Sequence, residues 1–180
     1  MQSVIATGRL TVRDYTAKDR AACLALFDSN APAFFATEER VDYAHFLQTL
    51  PCCYLVISSP SAGVLAAGGY YVTDEPELAG LAWGLVAREW QRRGLGRELL
   101  QLRLSRLRTT SARMVRVRTS PSSRGFFERA GFRLVRVVTD GFAPNSDLVE
   151  LLLALQMDAH TYGNGFANRL NDAAGKRKAQ

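Results

Sequence analysis

Residues 81–100, LAWGLVAREWQRRGLGRELL, set an apolar stretch directly before Gln91-Arg92-Arg93-Gly94-Leu95-Gly96 and a helical pattern directly after it. Two glycines let the backbone turn tightly and leave its N–H groups bare. The first turn of a helix adds orphan N–H donors and the positive end of the helix dipole. A strand–glycine loop–helix junction is therefore a cradle for phosphate. Arg92, Arg93 and Arg97 put cationic charge beside it. The chain contains no G-x-x-x-x-G-K-[ST] loop, and a dinucleotide fingerprint would need glycine where Leu99 stands. What remains is [Q/R]-x-x-G-x-G, a pattern that a plain glycine start to a helix also produces.

Other reactive residue types are sparse. The cysteines are Cys23, Cys52 and Cys53, an odd count without C-x-x-C. That usage points to free thiols in a reducing compartment, the cytoplasm. Cys52 and Cys53 would act as nucleophiles only beside an activating base, and the sequence shows none. The two histidines, His45 and His160, have no second ligand at zinc spacing, so no metal is expected. No G-x-S-x-G is present, which disfavours a serine hydrolase.

The elements that would carry the loop follow from the hydrophobic pattern. Arg9–Asp14 alternates as a first strand. Thr16 caps a helix running through Phe27, and Glu38–Leu50 reads as a second helix with acids at its positive end. Tyr54–Ser58 and Val64–Thr73 form a hairpin across Pro60–Gly63. Leu78–Ala87 is the strand entering the loop, and the long helix runs from Gly94 to about Arg108, with Leu95, Leu99, Leu100, Leu102, Leu104 and Leu107 making a wide apolar arc. Met114–Thr119 is a strand, Pro121–Ala130 a short helix closed by Gly131, and Phe132–Val138 and Leu148–Leu155 are the last strands, joined by a long turn over Asp140–Asp147. Two β-α-β crossovers in the middle imply some parallel pairing; the hairpins imply antiparallel edges. Residues 1–156 thus read as one α/β domain, and 157–180, which lacks periodicity, as a flexible or docking extension.

Composition agrees with a globular chain. Its 180 residues are 47% apolar and 22% charged, and its longest apolar runs are too short to cross a bilayer as a helix. The net charge is +6, unevenly placed. From Arg88 to Arg136 there are 14 arginines against three acids, a net of +11, so the other residues carry −5. A cationic middle suits an anionic partner, and an acidic remainder suits a cationic one.

About 30 residues beyond the loop stands Ser120-Pro121-Ser122-Ser123-Arg124-Gly125-Phe126-Phe127-Glu128-Arg129-Ala130-Gly131-Phe132. The two blocks together resemble the GCN5-related N-acetyltransferase (GNAT) superfamily. In that superfamily, a strand, a pyrophosphate loop and a long helix precede a strand and a short helix ending in F-[YF]-E-[KR]-x-G-F. The resemblance spans roughly residues 9–155. It implies an α/β (α+β) acyl-CoA N-acyltransferase fold, with a mixed, mostly antiparallel sheet of about seven strands, helices on both faces, and a fourth and fifth strand that run parallel and splay apart. It further implies that the backbone from Arg93 to Arg97, including Gly94, Leu95 and Gly96, holds the pyrophosphate of acetyl-CoA, with Gln91 and Arg92 at the entrance. Pantetheine would pair with Leu85, Val86 and Ala87, flanked by Ser120, Ser123, Phe126 and Phe127.

The implied reaction moves an acyl group directly to a primary amine. Here the chain departs from its relatives. Many carry a tyrosine where Phe127 stands, whose hydroxyl can protonate the leaving thiolate, and an asparagine where Ser120 stands. Ser120, Ser123 or water is the candidate substitute, and a thiolate with a pKa near ~8.5 could also leave unaided. Where some relatives place a catalytic glutamate, this chain has Gly80; Glu77 is the candidate base among Asp74, Glu75 and Glu77. Trp83, Glu38, Glu39 and Asp42 are candidates for the acceptor side. Two other readings stay open: an acyl-CoA-binding module that has lost catalysis through Phe127, and a polyanion or nucleic-acid binder, against which the absence of a helix-turn-helix or RNP signature speaks. The acceptor, small molecule or protein, is not encoded in any motif. Homodimers are common among similar enzymes.

Overall fold

The computed structural model describes residues 10–155. The expected extension at 157–180 lies outside the described residues. Strand β1 (Thr11–Asp14) leads into a 3-10 turn (Ala17–Asp19), then helices α1 (Arg20–Asn30) and α2 (Glu39–Thr49). Strands β2 (Cys53–Ser59), β3 (Gly63–Val72) and β4 (Leu78–Val86) follow. Helix α3 (Leu95–Arg108), strand β5 (Met114–Thr119), helix α4 (Pro121–Arg129) and strands β6 (Arg133–Ala143) and β7 (Ser146–Ala154) complete the domain.

The seven strands form one sheet in the order β1-β2-β3-β4-β5-β7-β6. Every neighbouring pair is antiparallel except β4–β5. Alternation along the strands sends Tyr54, Val56 and Ala67 to one face, where α1 and α2 pack through Phe27, Tyr43 and Leu47. Leu55, Ile57 and Ala66 meet Leu95 and Leu99 of α3 on the other. Leu100, Leu104 and Leu107 continue that contact over Ala79, Leu81 and Val115.

Two elements differ from the sequence reading. Helix α1 begins later and ends a turn further on. Asp19 bonds back to Thr16 and to Arg13 and sets off the tight first turn. At the other end, buried Asn30 donates to Leu26 O and is the last helical residue. The Asp140–Asp147 segment is not a long turn. Strand β6 runs on to Ala143, with Asp140 at φ 54 in an irregular register, and only residues 144–145 separate it from β7. Asp140 holds this hairpin end by accepting from the Asn145 N–H at 2.6 Å.

Two irregularities in the sheet make the site. Strands β4 and β5 pair at only three positions, Leu78↔Met114, Ala79↔Val115 and Gly80↔Arg116. Past Gly80 they have no rungs, while β5 stays zipped to β7 through Thr119↔Val149. Between β3 and β4 the register jumps from Gly69↔Ala82 to Ala67↔Leu85. Trp83 and Gly84 thus oppose Gly68 alone, a bulge that bends β4 away from β5. Trp83 takes the strained left-handed conformation at this point (φ 41).

Candidate active site

The gap between β4 and β5 opens into a cavity of about 780 Å³. Its walls are the bulged part of β4, Val117–Thr119 of β5, Ser120 and the start of α4, the start of α3, and Asn30, Phe34, Phe35, Glu39 and Asp42. Phe142 and Ser146 of the last hairpin close the rim. The site is therefore assembled from both faces of the sheet and from separated stretches of the described residues between Asn30 and Ser146.

The loop entering α3 turns on two residues with positive φ, Arg92 (φ 57) and Gly94 (φ 90). A Cβ at Gly94 would touch nothing within 4 Å, so glycine is required there for its backbone angle rather than for space. Gly96 answers a different need. A Cβ there would already lie 3.6 Å from both Phe126 and Val86, and a longer side chain would enter the cavity. The free N–H groups of the first turn of this 14-residue helix sit at the same wall, with Arg92 and Arg97 beside them. Arg93 instead lies over the Trp90 ring, 4.9 Å from its centroid, and Leu95 is buried in the core; neither side chain lines the cavity.

Along β4 the expected trio divides. The Ala87 N–H is bonded to Leu65 O at 2.8 Å, so Ala87 turns its backbone toward β3, and Leu85 opposite Ala67 shares that side by strand alternation. Val86 is the one whose carbonyl faces the cavity. It accepts from Asn30 Nδ2 at 3.0 Å and from Gln91 Nε2 at 3.3 Å, while Gln91 also donates to Asn30 Oδ1 at 2.7 Å. Gly84, exposed and bare of side chain, shares the Val86 orientation. The Ala87 N–H is thus already used within the sheet.

Ser120, Ser123, Phe126 and Phe127 all reach the cavity. Ser120 precedes α4 and its Oγ lies 2.9 Å from Ser122 Oγ. Phe127 is buried, edge-on to Phe126 and Phe132. Glu77 does not reach the cavity. It lies at the closed end of the β4–β5 pair, where its backbone oxygen accepts from the N–H groups of Arg113 and Met114 and its carboxylate pairs with Arg113 at 3.5 Å. The acid that does line the cavity is half-buried Glu39, with Asp42 one helical turn on. Burial pushes the Glu39 carboxyl above the ordinary range against the hydrogen bond from Ala36 N–H, and Asp42 and Glu38 push the same way.

Trp83 packs among Phe27, Phe35, Tyr43 and Phe46, with Tyr43 closest at 5.0 Å. Tyr54 donates to Trp83 O at 2.9 Å, and its hydroxyl lies 2.7 Å from that of Tyr43, so two buried hydroxyls pin the bulge. None of the three cysteines lines the cavity, and burial pushes the Cys23 and Cys52 thiols up to about 12 and about 11. Among the described residues no cluster of three metal-ligating side chains occurs, and no helix is long and apolar enough to cross a membrane.

Two residues escaped the sequence reading. Asn30 was hidden because it seemed to lie past the end of its helix. Arg103 was hidden among leucines, although its spacing from Leu99 and Leu107 puts it on the buried stripe of α3.

Residues 66–141, from the middle of β3 through most of β6, match the acetyltransferase (GNAT) domain family. Over these residues the chain is similar to the GNAT acetyltransferase family. Solved structures share its fold. A GNAT-family protein from Desulfovibrio desulfuricans is 22% identical, covers 82% of this chain and 99% of its own, and superposes with a TM-score of 0.72. The ribosomal-protein-S18-alanine N-acetyltransferase of Escherichia coli is 18% identical over 83% of this chain and 96% of its own, with a TM-score of 0.68. The yncA protein of Salmonella typhimurium, solved with its cofactor acetyl-CoA, is 18% identical over 84% and 97%, with a TM-score of 0.62. No curated protein matches the sequence.

Proposed function

We propose that this protein transfers an acetyl group from acetyl-CoA to the primary amine of a cationic acceptor. The observation that carries the reading is the cavity itself. Its lining brings together the start of α3 with Arg92 and Arg97, aromatic rings with the Glu39 and Asp42 carboxylates, and the part of β4 that has no rungs to β5.

The N–H groups of Leu95, Gly96 and Arg97, with Arg92 and Arg97, hold the diphosphate. The free edge of β4 from Gly84 to Val86 aligns the pantetheine arm and supplies a donor for the charge that develops on the thioester oxygen. Phe126 and Val86 wall the arm on either side of Gly96.

Glu39 and Asp42 attract the acceptor as an ammonium ion. An amine with a pKa near ~10.4 is neutral only about once in a few thousand molecules at neutral pH, so it must give up a proton before attack. Glu39, half-buried and with its pKa raised, is placed to take that proton and pass it to solvent. The aromatic wall around Trp83 shapes the remainder of the acceptor.

The experiment is thiol release from acetyl-CoA against a panel of amines, with calorimetric binding of CoA alongside. We expect micromolar-range binding and amine-dependent thiol release. Glu39→Gln/Asp42→Asn should raise KM for a cationic amine about tenfold, the worth of ~1.4 kcal/mol, and leave CoA binding intact. Phe127, which lacks a hydroxyl for the leaving sulfur, favours a second reading, an acyl-CoA-binding module. CoA binding with no thiol release across the panel would select it.

A further inference from the structure

Arg103 lies on the face of α3 that packs against the sheet and is only 3% exposed, yet it lines the cavity. Its surroundings are built around it. A Cβ at Gly68 would fall 3.0 Å from Nη1, and one at Gly84 would fall 3.2 Å from both Nη1 and Nη2. The guanidinium thus occupies the room that two missing side chains leave at the β3–β4 bulge. Its hydrogen bonds go to carbonyls alone: Nε to Leu99 O at 3.2 Å and Nη1 to Gly69 O at 3.5 Å. Among the described residues no carboxylate pairs with it.

A buried cation without a counter-ion is costly. Burial pulls Arg103 down to about 10, which leaves it charged at neutral pH. A leucine or methionine would fill the same stripe at no electrostatic cost. The charge is therefore available to an anion that comes and goes. Its place in the slot narrows the choice. Arg103 is eight residues into α3 from Leu95, ~12 Å beyond the phosphate loop at 1.5 Å per residue. It lies against the bulge, two to four residues past the last β4–β5 rung at Gly80. The diphosphate of the acyl-CoA reading would sit at the loop, farther from that rung.

We propose that Arg103 stabilises the thiolate of coenzyme A at the inner end of the slot. The inference rests on the acyl-CoA reading of the cavity. In the transfer, the amine nitrogen forms a C–N bond to the thioester carbon, the C–S bond breaks, and its electron pair leaves on sulfur. The amine proton goes to the acceptor-side carboxylates and water. Arg103 neither gives nor takes a proton; it supplies the positive charge that makes an unprotonated sulfur a tolerable leaving group. Phe127, which also lines the cavity, has no proton to offer.

The test needs no acceptor. The thiol of bound CoA is titrated by its thiolate absorbance, with the complex of dethia-CoA, which lacks the sulfur, as blank. An ordinary alkyl thiol titrates near about 8.5. In the wild-type complex we expect a midpoint at least one unit lower, since an opposite charge nearby shifts a pKa by ~1–3 units. Arg103→Met should return the midpoint to the ordinary value or above, and Arg103→Lys should keep part of the shift. CoA affinity, set at the loop, should change less than ~3-fold in Arg103→Met. A wild-type midpoint at or above the ordinary value overturns the proposal, as does an equal midpoint in wild type and Arg103→Met. If Arg103→Met does not fold, the wild-type midpoint with Arg103→Lys decides alone. Failure of wild-type protein to bind CoA in calorimetry would instead remove the acyl-CoA reading, and this proposal with it.

Discussion

The two ends of the β4–β5 pair are made from the same two strands and behave oppositely. At the lower end, Leu78, Ala79 and Gly80 zip to Met114, Val115 and Arg116, capped by the Glu77 backbone oxygen and by exposed pairs to Arg113 and Arg116. At the upper end the rungs stop. The difference does not come from side-chain bulk in the gap, because Gly84 is bare and Val117 is no larger than Val115. It comes from the outer partners. The bulge at Trp83 draws β4 toward β3, and β5 follows β7 down its whole length. A slot within a sheet is thus held open from outside, and the backbone groups left unpaired along it are the ones a ligand can use.

Four substitutions probe this contrast. Leu104→Ala removes a fully buried side chain beneath the zipped end, next to Ala79, Leu81 and Val115. It should cost about 2–5 kcal/mol in urea unfolding, with CoA affinity of the folded fraction unchanged. A loss of affinity as large as the loss of stability would mean that the two ends are not independent.

Gly96→Trp acts at the open end. The indole enters between Phe126 and Val86, and CoA affinity should drop at least ~100-fold, or about 2.7 kcal/mol, with circular dichroism and Tm nearly those of the wild type. Retained binding would move the ligand out of the slot.

Glu150→Gln tests what holds β5 to β7. Glu150 is buried opposite Arg118 and accepts from Arg118 at 3.0 Å and Arg136 at 3.3 Å. Burial alone would raise its carboxyl; the two arginine hydrogen bonds outweigh burial and hold it below the ordinary range. A carboxyl lowered in the folded state stabilises the fold above its unfolded pKa, and that contribution is lost as pH falls through the folded value. The variant should therefore be about 1–2 kcal/mol less stable at pH 7, and the gap should close below ~4.3, the unfolded value of a glutamate. A gap that persists at pH 2 would exclude the charged pair as its cause.

Glu77→Gln should do least: under ~0.5 kcal/mol in stability, as befits an exposed pair, and less than a twofold change in thiol release. A tenfold loss of turnover would bring the closed end into the chemistry.

Much of this architecture was legible because local chemistry and fold agree. The glycine loop, Gly131 at φ 94 behind α4, the hairpins and the Phe126–Phe132 block all sit where their residue types require. The last hairpin was misread because Gly, Pro and Asn suggested a loop, whereas Asp140 absorbs the irregularity inside a continuous strand. Of the cavity, the wall at the glycine loop was legible, because backbone geometry fixes it, and the wall around Glu39 and Trp83 was not. Glu77 was favoured by nearness in sequence to β4, but strand direction carries it away from the slot. Asn30 and Arg103 act through distant partners, Val86 and the glycines at 68 and 84, which no spacing rule links to them.

Asn30 is a knot of three cords. Its one amide fastens the tail of α1, the rim of β4 and, through Gln91, the doorstep of the glycine loop. A guest arriving among the aromatic rings and a guest arriving at the arginines therefore tug on the same tether. Whatever the first does to the grip on the second, the second must do in equal measure to the first.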